Sequence, residues 1–461
     1  MKKTILCLLL VASPLSTLRA ADLMDVYRQS LENDPTFKAA YSTFMSQSEA
    51  VPQAVAALLP QVGVTAGIGR STQEVDSGVF RVNQTYDADQ WKITASQAVF
   101  NYQSWALVQQ AKASVKAAHA TFNSAAQDLM LRTTSAYLLL LYARDTLNFA
   151  EAKKRANQRQ LDQAQQRFNV GLDAITSVYE AQAAYDQSIA QVISAQSNLV
   201  NQNENLSKLT NHVYEEVSPL RNSKIPLIKP EPNNVDEWVA TGVKQNYNLF
   251  AAKYNLQASR ENIKAQSAGN WPTLALQGTS SRIDFGNNSS DSNSVINNVF
   301  VPNKQVMNNI ALTLNFPVFQ GGLVVSKTRQ AIYDFQGTSE NLEKTYRDVV
   351  VNSRIAFNNI VDGISKVKAD RQTIMSQQNS LDSVEAQYEV GTRTMTDVVT
   401  AQQHLFEAQE QLAADQYSLI NATLNLKYLA GSLNVNDIGE VNSWLATTRI
   451  SGFPPQYTRH S

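Results

Sequence analysis

The spacing of hydrophobic residues changes twice along this chain, in the same order in each half. From Leu23 to Leu59 apolar residues recur at helical spacing among good helix formers, and Pro60 stops the pattern. From Trp238 to Asn270 a similar stretch runs up to Pro272. Directly after each proline the period drops to two. Val62, Val64, Ala66 and Ile68 alternate with Gly63, Thr65, Gly67 and Gly69; a polar stretch follows, Arg70 to Asp89, and alternation returns with Trp91, Ile93, Ala95 and Val99. In the second half Leu274 and Leu276 open a strand. Ser280 to Asn309 is crowded with Asn, Ser and Asp, and then Ile310, Leu312, Leu314, Phe316 and Val318 alternate. Each half is therefore predicted to supply one hairpin with a long polar loop, with strands of about ten residues, the length that crosses a bilayer at a tilt. The small and polar partners of the apolar positions suit a water-filled lumen.

After each hairpin the period returns to that of a helix and stays there. No proline or glycine occurs from Asn101 to Asn169. Val108, Val115, Phe122, Leu129, Ala136, Ala143 and Ala150 fall on strict heptad steps, as do Ile360, Val367, Ile374, Leu381 and Tyr388 in the second half. Sustained heptads predict helices packed side by side as coiled coils. At 1.5 Å per residue, about 65 residues make a rod of about 100 Å. Each rod is predicted to end at a glycine, Gly171 or Gly391, with return helices from about Thr176 to Asn211 and Thr396 to Leu429.

The two halves are copies. Phe168, Val170, Gly171, Thr176, Val178, Ala181 and Gln182 recur as Tyr388, Val390, Gly391, Thr396, Val398, Ala401 and Gln402, at a constant offset of 220 residues. This spacing is far longer than a solenoid unit and describes two halves of one fold. The expected organisation is a leader at 1–20, a first repeat at 21–213, a proline-rich linker at 214–235, a second repeat at 236–431 and a polar C-terminal region at 432–461 whose end is poorly ordered. The leader reading rests on Lys2 and Lys3 before the apolar run Ile5 to Ala12, and on Ala20 as a cleavage residue.

Composition narrows the choice of function. The lone cysteine, Cys7, lies in the expected leader, which leaves the mature chain without disulfide or thiolate chemistry. Removing Lys2, Lys3 and Arg19 from the 39 basic residues leaves 36 against 40 acidic ones, a net charge of −4 with no basic block to hold nucleic acid. Beyond the leader no apolar run reaches the roughly 18 residues of a spanning helix, which says nothing against a β-barrel. His119, His212, His404 and His460 fall in no HExxH, and neither a P-loop nor a nucleophile motif is present. Gly67 and Gly69 have no third glycine at dinucleotide-binding spacing. No catalytic residue, metal site or cofactor is therefore expected.

Four strands cannot close a barrel in a membrane, and an open edge in lipid is costly. Two copies would give eight strands around a filled interior, whereas three give twelve and a tube. The alternative is a soluble periplasmic coiled-coil adaptor or scaffold, though adaptors carry one helical hairpin and glycine-rich modules of short strands that are lacking here.

Arg167-Phe168-Asn169-Val170-Gly171-Leu172 with Ala174-Ile175-Thr176, and Tyr388-Glu389-Val390-Gly391-Thr392-Arg393-Thr394 with Asp397-Val398, resemble the two helical tips of the TolC family of outer-membrane efflux channels. Val318-Phe319-Gln320-Gly321-Gly322 resembles its strand-to-helix junction, and the likeness spans essentially the whole chain after the leader. The resemblance implies a mainly α fold with β: a homotrimeric channel-tunnel, its 12-stranded outer-membrane β-barrel (four strands per chain) continued by a periplasmic α-helical barrel of coiled coils. It implies outer-membrane lipid, a periplasmic adaptor and an inner-membrane transporter as partners, in efflux or type I secretion. It also implies that Tyr388 and Arg393 face Thr176 and Ser177 at a periplasmic gate. Asp397 would form a ring of carboxylates there, with a second ring lost at Thr400. Adaptor helices would dock on Val170, Gly171, Leu172, Val390, Gly391 and Thr392. Where Ser177 stands the family pattern has aspartate. A tyrosine–serine bond is weaker than a charge-assisted one, so a looser latch is expected unless other contacts compensate.

Overall fold

The computed structural model describes residues 20–76, 81–221, 227–286 and 304–446. The expected leader before Ala20, the tail from Gly452, part of the linker and the ends of both hairpins fall outside them.

The first helical stretch is three helices, α1 (Leu23–Asn33), α2 (Pro35–Ser48) and α3 (Ala50–Ala56). Asp34 separates the first two. Its carboxylate accepts the Phe37 amide at 3.0 Å, which caps α2, while Pro35 opens that helix where a missing amide costs nothing. The long helix α4 (Tyr102–Asn169) and its return α5 (Ile175–Thr210) follow the first hairpin. The helical stretch that opens the second half is likewise divided, at Asn246, into α6 (Val235–Gln245) and α7 (Tyr247–Ser267), followed by a 3₁₀ turn at Ala268–Asn270. Beyond the second hairpin come the long helix α8 (Leu323–Glu389) and its return α9 (Met395–Leu429), and α10 (Val435–Ser443) is the last helix among the described residues. The two long helices have 68 and 67 residues, as the uninterrupted heptads predict.

The strands are longer than the alternation predicts. β1 (Gln61–Asp76), β2 (Arg81–Phe100), β3 (Thr273–Gly286) and β4 (Lys304–Asn315) form one antiparallel sheet in the order β1-β2-β3-β4. Most of Arg70 to Asp89, and both ends of Ser280 to Asn309, are strand rather than loop. Cross-strand polar pairs replace the apolar pattern there: Arg70 donates to Asp87 at 2.7 Å, the Thr72 and Thr85 hydroxyls meet at 3.0 Å, and Ser280 donates to Asn308 at 2.8 Å. At the other end β4 stops at Asn315, short of Phe316 and Val318, because Pro317 cannot donate to a ladder.

The register sorts the sheet into two unlike faces. Val62, Val64, Ala66 and Ile68 share a face with Trp91, Ile93 and Ala95, with Leu274 and Leu276, and with Ile310, Leu312 and Leu314. Seven residues of β1 span about 23 Å of this apolar face. Farther along the same face stand Ser280, Arg282, Asp284, Asn308 and Lys304. The opposite face carries Gly63, Thr65, Gly67, Lys92, Thr94, Ser96, Gln277, Thr279 and Thr313. Ile68 and Ile310 are more than four-fifths exposed, and among the described residues the outer edges of β1 and β4 are unpaired.

Residues 41–122 and 247–347, a compact unit, hold the sheet together with the helical segments at its base. Tyr102 stacks on Trp271 at 4.6 Å, and Phe44 on Phe122 at 5.6 Å. The second unit, residues 20–40, 123–246 and 348–446, holds the helical core. In it Leu23 and Val26 of α1 pack with Leu129, Tyr137 and Leu141 of α4, Leu206 of α5 and Ile438 of α10, all fully buried. Each such side chain contributes about 1.5–3 kcal/mol. The Tyr137 hydroxyl donates to the Ser218 carbonyl at 2.9 Å, so its polar end is satisfied inside the core. The second heptad series is the more completely buried: Ile360, Val367, Leu381 and Tyr388 are buried and Ile374 half-buried.

Candidate functional site at the helical tips

Both tips use the same backbone device. At the end of α4 the Gly171 amide bonds the Phe168 carbonyl at 2.9 Å and the Leu172 amide bonds Arg167 at 2.9 Å; at the end of α8 Gly391 bonds Tyr388 at 3.0 Å and Thr392 bonds Gln387 at 2.9 Å. These are Schellman pairs, which require a left-handed residue at the glycine, and φ is +76° and +80°. Val170, Leu172 and Val390 consequently point outward and are each at least two-thirds exposed. Thr176 and Thr392 are exposed as well. Behind the turns, Leu161 and Ala164 of α4, Val178 and Ala181 of α5, Leu381 and Tyr388 of α8, and Met395, Val398, Ala401 and Leu405 of α9 form one apolar cluster.

The polar contacts at the tips differ from those the resemblance implies. The Tyr388 hydroxyl donates to Asp173, not to Ser177. Arg167 donates to the same Asp173 carboxylate at 3.0 Å, and its guanidinium lies 4.9 Å from the centre of the Tyr388 ring. Burial and then the neighbouring Asp173 carboxylate push the Tyr388 phenol up, so it stays a donor at any physiological pH. Nearby, Thr396 donates to Glu180 at 2.6 Å.

Arg393 turns to its own repeat. It donates to Gln387 at 3.1 Å and lies 3.6 Å from Asp397. The Asp397 carboxylate accepts the Thr394 amide at 2.9 Å and its hydroxyl at 2.8 Å, and Thr394 in turn caps α9, so the two residues form a capping box. The Thr394 backbone bond, its side-chain bond and the Arg393 charge all hold Asp397 below the usual carboxylate range. It is an anion at neutral pH.

Sequence reasoning gave no role to Arg167, Asp173 or Glu180. A signal for the first two was present: an Arg–Asp pair six residues apart straddles the turn, and the offset of 220 places Gln387 and Arg393 at the equivalent positions.

A family model described as outer membrane efflux protein matches residues 26–212 and 242–432. The chain belongs to the outer membrane efflux protein family. It is 35% identical to outer membrane protein TolC of Escherichia coli over 93% of this chain and 86% of that one. It is also 26% identical to the proteases secretion protein PrtF of Dickeya chrysanthemi, over 97% and 96%. The solved structure of CusC, described in terms of transmembrane channel formation, superposes with a TM-score of 0.76 at 16% identity, covering 89% of this chain and 92% of that one. The fold is thus that of the TolC-like outer-membrane channels. Members of this family are channel and transport proteins, and this one lies in the outer membrane with a periplasmic helical extension, as an exit duct. The alternative of a soluble adaptor is set aside.

Proposed function

We propose that three copies of this chain close into one gated, passive tube that exports small molecules and secreted proteins, fed by an inner-membrane transporter through a periplasmic adaptor. The observation that carries the trimer is the sheet. One face carries an apolar band, the other is polar, and among the described residues both edges are unpaired, so the sheet is satisfied in lipid only when equal sheets complete a barrel. Three sheets make twelve strands and leave a polar lumen. The two copied stretches, 21–213 and 236–431, then act as equivalent staves, with 214–235 as the link between them. The chain itself performs no chemistry.

The tips form the gate and the docking end. Val170, Gly171, Leu172, Val390, Gly391 and Thr392 present apolar side chains and bare backbone to an adaptor helix. Thr176, Ser177, Tyr388, Arg393 and Asp397 line the constriction, and three copies of an ionised Asp397 favour cations. The test is single-channel current from the purified protein in planar bilayers. Wild type is expected to give small cation-selective currents, Asp397→Ala to lose selectivity and Arg393→Ser to enlarge the current. A folded, membrane-extracted protein that never conducts would overturn the duct.

A further inference from the structure

We infer that Asp173, on the first tip turn, is the acid that latches the second repeat closed by holding Tyr388, and that Arg167 fixes it in place for that task. The inference rests on the gated-duct reading above and deepens it.

Tyr388 lies in the last turn of α8 and is only 4% exposed, although Val390, two residues on, is 74% exposed. Its hydroxyl crosses to a carboxylate 215 residues earlier in the chain, from one repeat to the other. That carboxylate is also held from within its own tip. Arg167 and Asp173 lie on either side of one Schellman turn and retain 20% and 13% of their side-chain exposure, so their 3.0 Å bond is shielded from water. Arg167 then covers the Tyr388 ring, and cation, carboxylate, phenol and ring form a closed circuit.

The second repeat cannot return the arrangement. The offset of 220 converts Arg167, Phe168 and Asp173 into Gln387, Tyr388 and Arg393. The first tip therefore has the acid and no phenol, and the second has the phenol and no acid at the matching position. Arg393 keeps to Gln387 and Asp397 in its own repeat and is 52% exposed. The latch is thus one-sided: a rigid first tip grips the end of α8. Moving α8 away from that tip requires Tyr388 to leave a shielded carboxylate, a step that buried polar groups resist. Ser177, where a family acid is expected, is not needed for the bond.

The experiment compares wild type, Asp173→Asn, Tyr388→Phe and the double variant in planar bilayers, with helicity and thermal midpoint measured alongside. Each single change is expected to raise the ratio of open to closed dwell time about tenfold, equivalent to about 1.4 kcal/mol. The double variant should exceed the larger single effect by less than about twofold, because both residues serve one bond. A merely structural Asp173 would lower the thermal midpoint and leave the dwell ratio untouched, which overturns the latch. Additive effects in the double variant also overturn it. A folded wild type without current overturns the duct and the latch together, whereas a conducting wild type with unchanged variants removes the latch alone.

Discussion

Asp173 and Arg393 occupy equivalent positions in the two repeats and carry opposite charges. Asp173 receives Arg167 at 3.0 Å across its turn; Arg393 donates to Gln387 at 3.1 Å across the matching turn. The two turns share one backbone device while the polarity of the side-chain bridge is reversed. Two tips of one shape therefore present different chemistry, which lets one hold the other.

A carboxylate added at position 177 should now have little to do. With Tyr388 already bound to Asp173, Ser177→Asp is expected to leave single-channel conductance within about twofold of wild type. A clear fall in current would mean that the Asp173 bond leaves the entrance short of a partner.

The glycines of the turns differ in what surrounds them. A Cβ on Gly171 or Gly391 meets nothing within 4 Å, so alanine there bears only the left-handed penalty of about 1–2 kcal/mol. Gly431 also has positive φ, but its Cβ would lie 2.3 Å from the Gln245 carbonyl oxygen, which is backbone and cannot turn aside. Gly431→Ala is expected to cost more than about 4 kcal/mol and to abolish the folded product, while Gly171→Ala still yields it. Yield of membrane-extracted protein with native helicity separates the two.

Asp34 is 2% exposed and bound by both the Phe37 amide and Arg132, the latter at 2.9 Å. Arg132→Ala leaves the carboxylate buried with its cap alone and is expected to cost about 2–3 kcal/mol; Asp34→Asn keeps the cap and should cost about 1 kcal/mol. Thermal midpoints falling in the order wild type, Asp34→Asn, Arg132→Ala would bear this out, and the reverse order of the two variants would refute it.

Asp145 makes stability depend on pH. Burial pushes its carboxyl up, against the opposing effects of the Tyr417 hydroxyl, which donates to it at 2.6 Å, and of Arg144. A folded-state value above the unfolded one means that this group supports folding below the unfolded pKa, and that the support is lost as pH rises through the folded value. Asp145→Asn, which still accepts from Tyr417, should therefore raise the thermal midpoint at about pH 7–8. The gain should shrink on acidification, as the wild-type carboxyl takes up its own proton. A gain that grew on acidification would contradict the assignment.

Much of this architecture is legible in the amino-acid sequence alone. The switch from period two to heptads places four strands and four long helices, and the offset of 220 residues exposes the two repeats. Gly171 and Gly391 mark the tips, and the return helices start within one residue of expectation. These features are local: period follows from backbone geometry, and a left-handed turn selects glycine whatever lies around it. Tertiary structure decides the rest. The polar outer parts of the hairpins are strands only because Arg70 has Asp87 and Thr72 has Thr85 across the ladder, a pairing that no single strand displays. Likewise, whether Tyr388 meets Ser177 or Asp173 depends on how the end of α8 is seated against the tip of α4 and α5. The packing of Leu161, Val178, Leu381 and Met395 sets that placement, and the spacing along either helix leaves it open.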